Sequence, residues 1–358
     1  MGSDLGTGNK FTDELIERLA MRVSNICLTI AALTLSACVT TSKIKPSAQS
    51  SFTDRAVSPV DKHGALSVVG PHIRNQNGEI TSLAGPSFFW SNTGWRQEKY
   101  YTTGAVETFA NDWNAGIIRI AMGAQNEGSY LEDPQGNTDR VVTLIDAAIE
   151  NGLYVIVDWH SHQAEKDVDT AVNFFKTIAE TYGDTPNLIY EIYNEPLDTT
   201  HWARTIKPYA EALIRAIREI DSDNLIIVGT PSWDQRVDIA ADDPLIGHSN
   251  ILYALHFYAA SHKAELREKA EYAIGKGLPL IISEWGTVTY SGDGYMDEKS
   301  TREWMDFAKK HGLTHLNWAV SDKDETASMF RPGAPKDGDW TMKDLTPSGL
   351  LVRDIIRN

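Results

Sequence analysis

Two glutamates carry the clearest chemical signal in this chain: Glu195, within Tyr193-Asn194-Glu195-Pro196, and Glu284, within Ser283-Glu284-Trp285-Gly286. Each follows an apolar run, which places it where a buried segment gives way to a loop. Two carboxyl groups in one site can be driven apart in proton affinity by their surroundings, so that one stays protonated while the other is ionised. Glycosidic cleavage needs that division. A separation of about 5–5.5 Å between the groups gives retention through a covalent glycosyl-enzyme. On this reading Glu195 is acid and then base, and Glu284 is the nucleophile. Singly, either glutamate reads more readily as a structural ion pair at a strand end; together with their polar neighbours they read as catalytic.

Those neighbours fit the division. Arg119, always cationic, suits an ionised Glu284, and Tyr258 suits its carboxylate oxygens. Asn194 offers an amide to a sugar 2-hydroxyl, while His160 and His256 complete the polar lining and tune Glu195.

The elements that must position them are legible as eight short apolar runs: Ser87–Trp90, Ile117–Ile120, Leu153–Val157, Leu188–Ile192, Leu225–Val228, Ile251–Leu255, Leu280–Ile282 and Thr314–Leu316. Between them lie segments with apolar residues three or four apart: Arg140–Glu150, Val168–Tyr182, Ala203–Ile220, Ala264–Ile274 and Lys299–His311. Alternating strand and helix implies a parallel sheet, and near-continuous β-branched runs imply burial on both faces. The fold class expected is α/β, a (β/α)8 TIM barrel, with a small N-terminal β-hairpin built from Leu66–Val69, a turn at Asn77-Gly78 and Ile80–Leu83. An open doubly wound sheet is the alternative, but no Gly-x-Gly-x-x-Gly follows the first strand. In a barrel the reacting groups gather at the carboxyl ends of the strands, and six of these runs end in Arg, His, Asn, Glu, Tyr or Trp.

With 358 residues and a formal net charge of −16, the chain repels phosphate backbones, so nucleic acid is excluded as a partner. Residues 1–20 read as an extension ahead of the true start at Met21. Residues 21–38 read as a signal peptide whose Leu35-Ser36-Ala37-Cys38 end resembles a lipobox, making Cys38 the lipidation candidate. Residues 39–58 read as a flexible tether and 59–358 as the catalytic barrel. A secreted or outer-membrane-anchored protein is therefore expected, touching membrane only through that anchor. Both cysteines, Cys27 and Cys38, precede the barrel, which leaves it without a disulfide or thiolate.

Tyr193-Asn194-Glu195-Pro196, Ser283-Glu284-Trp285-Gly286, Val157-Asp158-Trp159-His160, His256-Phe257-Tyr258 and the run Asn317 to Glu325 together resemble glycoside hydrolase family 5, specifically its bacterial endo-β-1,4-glucanases. The resemblance spans roughly residues 60–355. It implies a retaining mechanism on β-1,4-glucan polysaccharide or oligosaccharide by a monomer, with the acid/base falling on Glu195 and the nucleophile on Glu284. It also implies that Trp318 floors the −1 sugar, that Lys323 and Glu325 bind a glycone-side glucose with Trp90 further along, and that Trp233 and Gln235 serve the leaving-group side. Gly123 departs from the pattern, since an aromatic residue is expected there.

Seven tryptophans in expected loops are candidate sugar platforms: Trp90, Trp95, Trp202, Trp233, Trp285, Trp318 and Trp340. Trp113 and Trp304 lie in helical patterns and are expected in the core. Two other function classes compete. His160-Ser161-His162 with His256 suggests a metal-dependent hydrolase, and a non-catalytic glycan-binding lipoprotein would use the aromatics alone. No metal and no cofactor is expected, because nucleotide, calcium and serine-nucleophile patterns are missing. The absence of a recognisable carbohydrate-binding module points to soluble or amorphous glucan.

Overall fold

The computed structural model describes residues 57–358; the leader with Cys38, and most of the expected tether, lie outside the described residues. Ser58, at the end of that tether, caps a short helix, Pro59–His63, by accepting from the Asp61 amide at 3.1 Å.

Eight parallel strands close into a barrel. They are β3 (Ala84–Phe88), β4 (Ile117–Gly123), β5 (Tyr154–His160), β6 (Leu188–Glu191), β7 (Ile226–Val228), β8 (Ile251–Tyr258), β9 (Leu280–Gly286) and β10 (His315–Val320), which pairs back on β3. All eight expected runs are strands. The first begins three residues early and stops at Phe88: Ala84-Gly85-Pro86 carries no β-branched signal and is recruited by pairing with His315, Leu316 and Asn317.

Side-chain alternation builds two cores. On β5 the outward residues Val155, Val157 and Trp159 pack with the surrounding helices, while Tyr154 and Ile156 join Ile117, Ile189, Ile227, Leu252 and Ile281 inside the barrel. The helices are Thr103–Asn111, Pro134–Glu150, Val168–Tyr182, Lys207–Arg218, Ala264–Gly275, Glu298–His311 and Pro347–Arg357, with shorter turns between. The expected helix over Ala203–Ile220 opens as a π-turn, Trp202–Ile206, and ends at Arg218. Thr103–Asn111 and Pro347–Arg357 are additional; Trp113 follows the end of the former and is fully buried against Phe109, as expected for core.

The small hairpin exists, but its turn is elsewhere. β1 (Ser67–Val69) pairs with β2 (His72–Arg74) across Gly70-Pro71, where Gly70 takes a positive φ of 59°. Asn77-Gly78 forms a later turn leading only to the isolated bridge Arg74–Ile80, because Asn75 Oδ1 accepts from both the Asn77 and Glu79 amides at 3.0 Å. Leu66 and Ile73 pack against the inner core at the amino ends of the strands, so the hairpin closes the barrel floor.

One irregularity controls the mouth. Ala254 pairs with Ile281 but His256 pairs with Glu284, so β9 carries one extra residue between them. Inward Ile281 would make Ser283 inward and Glu284 outward by strict alternation. The bulge lets both face the barrel: Ser283 Oγ lies 2.9 Å from His256 Nε2, and Glu284 meets Arg119 and Tyr258.

Candidate active site

Arg119, projecting inward from β4, is completely buried and organises the centre of the mouth. Its Nε donates to Glu191 Oε2 at 2.6 Å, its Nη1 to Glu284 Oε2 at 3.1 Å and Ser87 Oγ at 3.2 Å, and its Nη2 to Asn194 Oδ1 at 2.6 Å. Asp158 Oδ2 lies 2.9 Å from the same Nη2. A fixed guanidinium with five donors can hold several acceptors in one plane where a lysine could not. Asn194 spends its oxygen on Arg119, leaving its buried Nδ2 without a protein acceptor.

Glu284 is bracketed by Arg119 and by Tyr258, whose hydroxyl donates to Oε1 at 2.7 Å. Glu195 is bracketed by histidines: His256 Nδ1 is 3.0 Å from Oε1 and His162 Nε2 is 3.3 Å from Oε2. One carboxylate oxygen of Glu195 and one of Glu284 approach within 4.8 Å, with a His256 nitrogen inside the same limit.

The electrostatics follow from burial and these partners. Burial pushes the Glu195 carboxyl up, but the His162 and His256 hydrogen bonds outweigh it and bring it down to about 2. Burial, then the facing Glu195 carboxylate, raise Glu284, with His256, Arg119 and Tyr258 opposing. Between the two carboxyls the shared proton is thus drawn toward Glu284. Burial and Arg119 keep His160 neutral, well below the usual imidazole range, while its Nδ1 sits 2.6 Å from Asp158 Oδ2. Burial also keeps Tyr258 a phenol, so it donates to Glu284.

The other expected site residues sort into two groups. Trp318 stacks in parallel with His160, with centroids 5.1 Å apart, and Trp90 meets His160 edge-on at 4.3 Å. Lys323 pairs with Glu325 at 2.5 Å and lies over the rings of Phe89 and Trp95. Trp233 stands partly exposed at the end of β7, on a turn where Ser232, Trp233 and Asp234 take φ of 60°, 54° and 59°. Left-handed geometry costs non-glycine residues about 1–2 kcal/mol each. Gln235 follows, its amide closing the turn on Ser232 O at 3.2 Å.

Three tryptophans expected as platforms are packing residues instead. Trp285 is fully buried, Trp202 donates to Asp243 O at 2.8 Å, and Trp340 stacks on Phe330. Trp202 and Trp340 turn back onto the helical shell, and Trp285 lies within β9 and faces outward onto the same shell. Trp304 stacks on Phe257 at 4.0 Å in the core, as expected. The His160-x-His162 pair does not assemble a metal cage: among the described residues, no cluster of three His, Cys, Asp or Glu with ligand spacing includes either histidine. At Gly123, a Cβ would lie 2.4 Å from Asn92 Oδ1 and 3.2 Å from the Trp90 ring; these side chains fill the place where an aromatic was expected.

Asp158, Glu191, Ser283 and Asp234 belong to the same network and escaped the sequence reading. Strand parity could have found the first two, since Asp158 is two residues from inward Ile156 and Glu191 two from inward Ile189.

A carboxylate pair at the mouth of a parallel barrel defines a glycoside hydrolase type of site. The family description Cellulase (glycosyl hydrolase family 5) matches residues 74–324, and the chain belongs to that family. Endoglucanase Z of Dickeya dadantii is 50% identical over 277 residues, 77% of this chain and 63% of that protein. An endoglucanase of Clostridium saccharobutylicum is 41% identical, over 82% of this chain and 65% of that one. The chain thus spans less than two thirds of the length of either relative. The catalytic domain of Thermobifida fusca endoglucanase Cel5A (E5) is 35% identical, with a TM-score of 0.79 over 84% of this chain and all of that domain; it has also been solved in complex with cellotetraose.

Proposed function

We propose that this protein hydrolyses internal β-1,4-glucosidic bonds of cellulose-type glucans with retention of configuration. The observation that carries the reading is the approach of Glu195 and Glu284 carboxylate oxygens within 4.8 Å across the barrel mouth, close to the separation that leaves no room for an attacking water and instead favours a nucleophile. The endoglucanase relatives and the cellotetraose complex of the Thermobifida domain support the substrate class.

In the first displacement Glu284 attacks the anomeric carbon, held in line by Arg119 and Tyr258, while Glu195 gives its proton to the leaving oxygen. In the second, Glu195 takes a proton from water as the water attacks the same carbon, and Glu284 leaves. The pair must hold one proton for this. Which oxygen carries it is set by the ligand: a glycosidic oxygen accepts only from a protonated Glu195, and positive charge developing at the anomeric carbon favours an ionised Glu284. Substrate therefore reverses the preference set by the protein's own groups without changing the proton count. The free Nδ2 of Asn194 supplies a donor for the 2-hydroxyl, and Trp318 with His160 forms an aromatic floor. Lys323, Glu325 and Trp90 serve the glycone side, and Trp233 with Gln235 the leaving-group side. Export through the Met21–Cys38 leader, with acylation at Cys38, completes the reading on sequence grounds alone; mass spectrometry of the processed amino terminus tests it.

A reducing-sugar assay over β-glucans and mannan tests the activity. Glu284→Gln should abolish turnover while oligosaccharide binding persists. Glu195→Gln should lose polymer hydrolysis yet keep the first displacement on an aryl cellobioside, whose phenolate leaves without protonation. An inverted anomer as the first product seen by NMR would refute the double displacement.

A further inference from the structure

One carboxyl in the network neither joins the mechanism above nor pairs with Arg119. Asp234 is completely buried. Its Oδ1 accepts from the Thr230 amide, and its Oδ2 has no donor better placed than His256 Nδ1, 3.3 Å away. That nitrogen is the one that meets Glu195 Oε1 at 3.0 Å. A single N–H thus faces two carboxylates. Three successive left-handed residues turn the chain so that Trp233 is exposed while Asp234, beside it, is buried against His256. Strained backbone of this kind persists where the surrounding structure holds it for a reason.

We infer that Asp234 is a positioning residue for the reaction: its carboxylate keeps His256 protonated and aimed, and through His256 it sets how readily Glu195 takes up the proton the leaving group needs. The inference rests on Glu195 being the acid/base.

Imidazolium suits the surroundings of His256. With both nitrogens as donors, Nδ1 serves Glu195 and Asp234, and Nε2 serves Ser283 Oγ at 2.9 Å with Glu191 Oε1 at 3.8 Å. The acids acting on it from the other strands are Glu284 and, more remotely, Asp158. Opposing them are Arg119, His160 and His162. Burial disfavours the cation, but Asp234 is the largest influence restoring it, ahead of Glu191 and Glu195; burial likewise pushes the Asp234 carboxyl well up, and His256 is the main influence holding it ionised, so the two charges sustain each other. Without the Asp234 charge His256 gives up its proton at lower pH. Glu195 then loses the positive charge on one of the two donors that hold its affinity for a proton down. Removing the Asp234 charge acts on Glu195 in the opposite sense, but Asp234 makes no hydrogen bond to Glu195, whereas His256 does.

The test is histidine NMR of the whole protein against pH for wild type, Asp234→Asn and Asp234→Ser, with the His256 signal assigned by its loss in His256→Gln. Both Asp234 variants keep an acceptor for the Thr230 amide, and thermal melting reports whether each is folded. The His256 midpoint should fall by one pH unit or more in the folded variants, and the alkaline limb of kcat/KM should move to higher pH. An unchanged midpoint in a folded variant would overturn the inference. A lowered midpoint with an unmoved limb would break the link to Glu195. Absence of glucan hydrolysis in wild type would sink the proposed activity instead, and the NMR titration would still decide what Asp234 does to His256.

Discussion

Glu284 owes its position to two unlike donors, a permanent cation and a neutral hydroxyl, and they can be separated by mutation. Tyr258→Phe removes the 2.7 Å hydrogen bond to Oε1 but leaves Arg119 in place. Because that bond favours the ionised carboxylate, its loss raises the proton affinity of Glu284. The acidic limb of the kcat/KM profile should then move to higher pH, and kcat should fall by about 10–100-fold as a donor to the developing charge is lost. A profile unchanged on its acidic side would show that Arg119 alone fixes the nucleophile. At Asp234 the lesson differs. Its identity was plain in the sequence, but its burial depends on a left-handed turn at Ser232-Trp233-Asp234 that no propensity announces, so a site residue passed as an ordinary loop acid.

Strand phase decides which residues can work together. Arg119, Asp158, His160, Glu191 and His256 all follow from alternation once one inward residue per strand is known, and the apolar runs made those strands legible. Glu284 does not follow: the extra residue in β9 inverts parity just before it, and only its flanking motif marked it. Deleting Ser283 should restore regular pairing and leave Glu284 two residues after inward Ile281, still facing the mouth opposite His256, so the barrel should fold and keep part of its turnover while His256 Nε2 loses its Ser283 partner, as circular dichroism and a sugar-release assay would show. The helical shell supports the same region from outside. Trp304 stacks on Phe257, between His256 and Tyr258, and donates to His262 O at 2.8 Å. Trp304→Ala leaves a large cavity and an unpaired carbonyl, so urea unfolding should report a loss of about 3–5 kcal/mol. The tryptophans show the limit of element-level reading: Trp285 belongs to β9, which runs four residues past the expected Ile282, and for Trp202 and Trp340 a loop assignment does not say whether the side chain turns to solvent or to the shell.

At the scale of the whole molecule the acidic excess becomes a rate effect. A net charge of −16 opposes the approach of anionic polymers more than neutral ones, over a range of about 10 Å at 0.1 M salt. KM for carboxymethylcellulose should therefore fall as salt rises toward about 0.15 M, while KM for a neutral glucan should hardly move; equal responses would locate the charge away from the binding face. The cleft wall carries a further consequence. Gly123 has no room for a side chain because Asn92 and the Trp90 indole already occupy that volume. The wall can thus draw its ring from the loop after β3 or from the tip of β4, but not from both. Installing tyrosine at position 123 should cripple a protein that retains Asn92 and Trp90 and be tolerated only where both have been trimmed to alanine, a non-additive set that makes this patch exchangeable between two strands.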